Sequence, residues 1–165
     1  MSLVRSKLTY GAHIWRPQYQ NRISQLESLQ HKFLRHLSYI DGMPMHPFSH
    51  DYKEYSEKFQ LPSLHSTLVI NDVKTLIKIC NSKIDCKEIL DSLPFDTCNL
   101  NLRENLPFYL DFNNRRYLDN NPINRLCKWG NDLILKNRDI TFNEFLNFSD
   151  YTTDVIVKKT YAQYK

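Results

Sequence analysis

The chain is expected to be mostly α, and three features carry that expectation. Apolar residues recur every three or four positions over two long stretches, which is the period of a helix with one buried face. Prolines stand just ahead of those stretches or at their first turn, where a missing N–H is harmless. Alternating apolar residues, the mark of a half-buried strand, are confined to residues 94–112. Composition adds a condition. Asn occurs 15 times and Ala only twice, so intrinsic helix propensity is weak and the helices must be held by packing of their apolar stripes.

Residues 3–15 read as a first helix, stopped at Arg16-Pro17 because the residue before proline is pushed out of the α region. Residues 19–39 read as a second, longer helix. Ile23, Leu26, Leu29, Phe33, Leu34 and Leu37 line one face, and Gln25, Ser28, His31, Lys32, Arg35 and His36 fall on the other. Asp41-Gly42-Met43-Pro44 and His46-Pro47 make a loop. Tyr52 to Phe59 forms a short helix ended by Leu61-Pro62. Ser63 caps a helix over 64–81 whose stripe is Leu64, Leu68, Val69, Val73, Leu76, Ile77 and Cys80. Asp85 caps a short helix over 86–92. Residues 94–112, broken by Pro94 and Pro107, form a loop-rich segment with one or two short strands. Asn121-Pro122 opens a helix to about Leu135, and two last helices cover Thr141 to Phe148 and Asp150 to Tyr164. The chain thus divides into 1–45, a basic helical hairpin; 46–93, a helical segment; 94–120, a loop and short-strand segment; and 121–165, C-terminal helices. These form one compact unit or two loosely joined ones.

Charge is unevenly distributed. Residues 1–40 hold six basic groups (Arg5, Lys7, Arg16, Arg22, Lys32, Arg35) against one acid, Glu27, whereas residues 41–165 hold 16 basic and 17 acidic groups. All of the net charge of +4 therefore comes from the first quarter of the chain. Such asymmetry suits a polyanion partner, and it equally suits a plain solvated basic face.

Several classes find no support. No apolar run approaches the roughly 18 residues of a membrane span, and the start MSLVRSKLTYG has no signal-peptide core. The cysteines, Cys80, Cys86, Cys98 and Cys127, form no CxxC pair, which suggests reduced thiols and a cytoplasmic or nuclear protein that is not secreted. Asn147-Phe148-Ser149 matches a glycosylation sequon, which carries no weight without a secretory signal. There is no glycine-rich phosphate loop, GxSxG, HExxH or paired-Cys zinc signature. His46 and His50 are spaced H-x3-H, but Pro47 between them argues against one helix face carrying both, so no metal and no cofactor is expected. Cys80 and Cys127 sit on apolar helix faces and read as small hydrophobes rather than nucleophiles. Asp41 in Tyr39-Ile40-Asp41-Gly42 has no neighbouring acid to complete a two-metal site and reads as a turn. No residue is assigned a catalytic role.

The opening stretch resembles the end of the reverse transcriptase of non-LTR, jockey-like retrotransposons, downstream of the catalytic palm. The matching residues are Leu8, Tyr10, Gly11, Trp15 and Pro17, then Leu26, Glu27, Leu29, Gln30, Lys32, Phe33 and Arg35. LPSLHSTLVINDVKTLIKICNSKIDC resembles the family's second block through Leu61, Pro62, Leu64, Asp72, Leu76, Lys78, Asn81, Ile84, Asp85 and Cys86. NPINRLCKWGN resembles its last block through Pro122, Ile123, Asn124, Arg125, Leu126 and Asn131. The chain departs from the pattern at Thr9, where an acid is usual, at His31, where a base is usual, and at Thr67, in an arginine-rich part of the second block.

The resemblance implies a helical, thumb-like bundle that holds a primer–template duplex. The family's catalytic aspartates lie upstream of the matched segment, so a non-catalytic C-terminal fragment of an RNA-directed DNA polymerase is expected. An RNA–DNA hybrid or other nucleic acid is the partner it implies, bound through the phosphate backbone without sequence readout. The nucleic-acid-binding candidates are Arg16 at the hinge and Arg22, Lys32 and Arg35 on the second helix. Arg115, Arg116 and Arg125 would extend the footprint, although plain solvated charge accounts for each. Tyr10, Trp15 and Phe33 have a stacking reading, with core the expected place for Trp15 and Phe33, and Tyr19 is left open. Apolar surface on the first helix that would face the palm implies self-association or marginal stability. The competing expectation is a helical protein-interaction module, or an inert relic, without nucleic-acid affinity.

Overall fold

The structure, a computed structural model, describes residues 2–17, 19–42, 52–96, 106–110, 121–137 and 139–161. Among them the chain forms α1 (Ser2–Thr9), α2 (Ala12–Trp15), α3 (Gln20–Ile40), α4 (Lys53–Lys58), α5 (Leu64–Cys80), α6 (Lys87–Asp91), α7 (Pro122–Lys136), α8 (Phe142–Leu146) and α9 (Asp150–Tyr161). The mostly α class is as expected. In the alternating segment the described residues show one isolated antiparallel bridge, Phe95 with Phe108, and no sheet.

The first expected helix is two helices. Gly11 takes φ +61°, a left-handed conformation that an α-helix cannot continue through, so α1 stops before it and α2 restarts after it. Other boundaries follow their local chemistry. Ser63 Oγ accepts from the backbone N–H of Ser66 at 3.1 Å, as its capping role requires. Pro122 stands at the first position of α7, and the Asn121 side chain accepts from the Ile123 N–H at 3.1 Å. Thr141 and Glu144 form a reciprocal capping box at α8. Ser149 Oγ accepts from Thr152 N–H at 3.0 Å at the start of α9. Asp85 does not cap α6; Cys86 holds that position, with no side-chain cap.

The chain divides into two compact units. One comprises residues 1–15 with 69–165, the other residues 16–68, and the second division falls inside α5. Helix periodicity carries no signal of such a division, because the helix is continuous across it.

In the larger unit Val73, Leu76, Phe108, Leu133, Phe145 and Val157 are fully buried and form one apolar core. Phe108 meets Phe142 edge-on at 5.8 Å between centroids, and Phe145 meets Phe148 likewise. Asn131 on α7 is buried for a backbone reason. Its Nδ2 donates to the Phe108 carbonyl at 2.8 Å and its Oδ1 accepts from the Phe108 N–H at 3.3 Å, satisfying an extended residue that has no sheet. The same helix carries Arg125, whose Nε lies 3.3 Å from Asp72 Oδ2 on α5, both groups being buried. The Arg125 guanidinium also donates to the His13 carbonyl on α2.

In the smaller unit two hydrogen bonds join α3 to the segment that opens α5. Glu27 Oε1 accepts from the His65 backbone N–H at 2.8 Å, and Gln30 Nε2 donates to the Pro62 carbonyl at 3.1 Å. The Glu27 carboxylate thereby meets one of the N–H groups that α5 leaves unsatisfied in its first turn, where the helix dipole favours negative charge.

Candidate nucleic-acid interface

The candidate surface is one face of α3. At about 100° per residue, Arg22, Gln25, Ser28, Leu29, Lys32, Arg35, His36 and Tyr39 share an arc of less than half the helix circumference. All eight are exposed. Arg22 is held loosely, its Nη1 donating to Gln25 Oε1 at 3.1 Å. Lys32 lies ten residues further on, so the two cations project about 15 Å apart along the helix.

Arg35 is exposed but oriented. Its Nη2 donates to the Tyr52 hydroxyl at 2.6 Å, and the guanidinium carbon lies 5.9 Å from the Tyr52 ring centroid. His31 stacks flat on the same tyrosine, with centroids 3.9 Å apart and planes within 2°. Burial lowers the pKa of His31, with Glu27 opposing and Arg35 adding to the shift, so the ring favours its neutral form. Sequence reasoning placed Arg35 and His31 on the polar face and missed Tyr52, because Tyr52 stands 17 residues from Arg35 along the chain, beyond the reach of helical periodicity. Asp41, at the end of α3, pairs with Lys58 of α4, and Gly42 beside it takes φ +74°, as a turn requires.

Two expected members do not join this surface. Arg16 is only 5% exposed, and its Nη2 lies 3.0 Å from His65 Nδ1. A guanidinium so enclosed cannot also reach a duplex phosphate, so Arg16 is a packing residue of the smaller unit. Burial also lowers the His65 pKa, and the neighbouring Arg16 charge adds to the shift against Glu27. The neutral ring can therefore accept from Arg16. Arg125, the possible extension, is spent on Asp72 and the His13 carbonyl. Arg115, Arg116, His46 and His50 lie outside the described residues.

The aromatic residues divide differently from expectation. Trp15 is 43% exposed rather than core, its indole N–H donating to the Tyr10 carbonyl at 2.8 Å, while Phe33 is half-buried. Tyr10 and Tyr19 are largely exposed. Chemically the face offers two cations, one oriented guanidinium and aromatic edges, a set that suits phosphate contact and stacking.

Among the described residues no group of three His, Cys, Asp or Glu is placed to hold a metal ion, and no helix is long and apolar enough to cross a membrane. Two of the thiols are held in their protonated form: burial pushes Cys80 up to about 11 and Cys127 up to about 12. No protein-family model, curated protein or solved structure matches the chain.

Proposed function

We propose that this chain is a thumb and post-thumb segment of a non-LTR retrotransposon reverse transcriptase, contributing backbone contacts to a nucleic-acid duplex rather than chemistry. The observation that carries the proposal is where the resembling residues meet. Glu27 and Gln30 of the first block bond the segment opening the second. Asp72 of the second block pairs with Arg125 of the third, and Asn131 of the third anchors Phe108. Several residues that carry the resemblance thus bond across elements within each unit, which supports reading them as one architecture. The exposed cations of α3 then supply affinity without sequence readout.

The test is fluorescence anisotropy with a short RNA–DNA hybrid across a salt series, comparing the native chain with Arg22→Glu/Lys32→Glu. Neither side chain supports the fold, so the variant keeps its helical signal. The expected result is salt-dependent binding whose log–log slope falls by about one for each phosphate contact removed. Failure of the native chain to bind at low salt would overturn the proposal.

A second reading has its own observation. Leu29 (54%), Tyr39 (74%) and Ile40 (67%) are exposed on α3 among the cations, as a protein-docking helix would present them. Concentration-dependent sedimentation that Leu29→Glu abolishes, with no hybrid binding, would favour that reading.

A further inference from the structure

The larger unit contains a cavity of about 220 Å³ that the proposed function does not use. Lys74 and Lys78, one turn apart on α5, and Lys83 beyond its end line it together with Asp150, Ile77 and Phe148. We propose that this cavity is a binding site for a phosphate group. Three lysines line one small space. Like charges so placed repel, and an anion between them relieves that repulsion. Among the described residues only Lys74 of the three is in an ion pair, with Asp154 Oδ1 at 2.7 Å. Lys78 and Lys83 are exposed, and their charges are available to a ligand.

The size of the cavity suits a phosphate or pyrophosphate group rather than a whole cofactor, because sites for drug-sized ligands begin at about 300 Å³. The first turn of α9 is not invoked, since Ser149 already caps it. Two carboxylates oppose the ligand: Asp150 lines the cavity and Asp154 neutralises Lys74. Affinity is therefore set by a balance of three lysines against two acids, and this makes the proposal testable in both directions. The site rests on residues of the larger unit alone, so it stands or falls separately from duplex binding by α3.

The experiment titrates the full chain with inorganic pyrophosphate by isothermal calorimetry at low ionic strength. Saturable binding of one equivalent is expected. Lys78→Glu/Lys83→Glu should weaken it by about tenfold or more, and Asp154→Asn should strengthen it, because Lys74 is then released to the ligand. Lys158→Glu/Lys159→Glu changes net charge equally on exposed residues outside the cavity and should leave binding unchanged. Circular dichroism melts confirm that each variant is folded. The absence of saturable binding, an equal loss in both double variants, or weaker binding by Asp154→Asn would each overturn the proposal. Short oligonucleotides with and without a 5′-phosphate distinguish the source of the group. Dependence on the 5′-phosphate indicates a phosphomonoester, and equal displacement of pyrophosphate by both indicates the phosphodiester backbone.

Discussion

Replacing Arg125 by methionine should be among the most damaging single changes in the larger unit. Methionine keeps most of the side-chain length but leaves the Asp72 carboxylate, which is 0% exposed, without the guanidinium 3.3 Å away. Removing one member of a buried pair costs about 3–5 kcal/mol, mostly because the remaining charge stays desolvated. The donation to the His13 carbonyl is lost as well, so the upper half of that range is expected. Against a total stability of about 5–15 kcal/mol this is a large fraction. At about 2–4 °C per kcal/mol for a chain of this size, the melting temperature should fall by roughly 8–20 °C. Urea denaturation of the native chain, Arg125→Met, Asp72→Asn and the double variant completes the cycle. The double variant should lose much less than the sum of the single losses, because neither charge is then left alone. A loss below about 1 kcal/mol for Arg125→Met, or additive single losses, would refute the claim that this pair is coupled and desolvated.

Gly130 is required by space rather than by backbone conformation. A Cβ there would lie 2.7 Å from Leu76 Cδ2 and 3.2 Å from Phe108 Cε2, both in the core, so Gly130→Ala should destabilise by about 1–3 kcal/mol despite the better helix propensity of alanine; calorimetric melting checks it. His65 has a lowered pKa in the folded chain, so the unfolded chain binds its proton first as pH falls. Stability should therefore drop as pH falls below the ordinary histidine value of 6.5, and His65→Gln should lessen that slope in the urea-midpoint profile, His31 supplying a further part of it. Cys127 is fully buried with its thiol near 12, so alkylation of the native chain, mapped by mass spectrometry, should label the half-buried Cys86 long before Cys127. Labelling of Cys127 at the rate seen in urea would refute its burial.

Much of the helical framework was legible before any coordinates. The span of α3 was expected at 19–39 and is Gln20–Ile40, and α5 was expected at 64–81 and is Leu64–Cys80. Both have long apolar stripes and punctuated ends. The caps at Ser63 and Thr141, and Pro122 at the start of α7, obey rules that act within a turn of helix. Gly11 escaped because glycine within a helical pattern is often tolerated, and its left-handed conformation is a local choice that periodicity does not record. Asp85 and Cys86 differ by one position, which is the ordinary uncertainty of a short helix start.

The surface was legible in part. Arg22 and Lys32 lie where helical periodicity placed them, on the exposed side of α3. Arg16 and Arg125 carry the same charge and the same side chain, yet both are buried. Their partners stand 49 and 112 residues away along the chain, in His65 and the His13 carbonyl. Sequence by itself determined which stretches are helical, where most of them begin and which face of α3 carries charge, because those depend on hydrogen bonds and side-chain periodicity within about four residues. Tertiary structure alone decided which arginines are surface and which are core, because the cost of burying a guanidinium is offset only by an acceptor that folding brings alongside it.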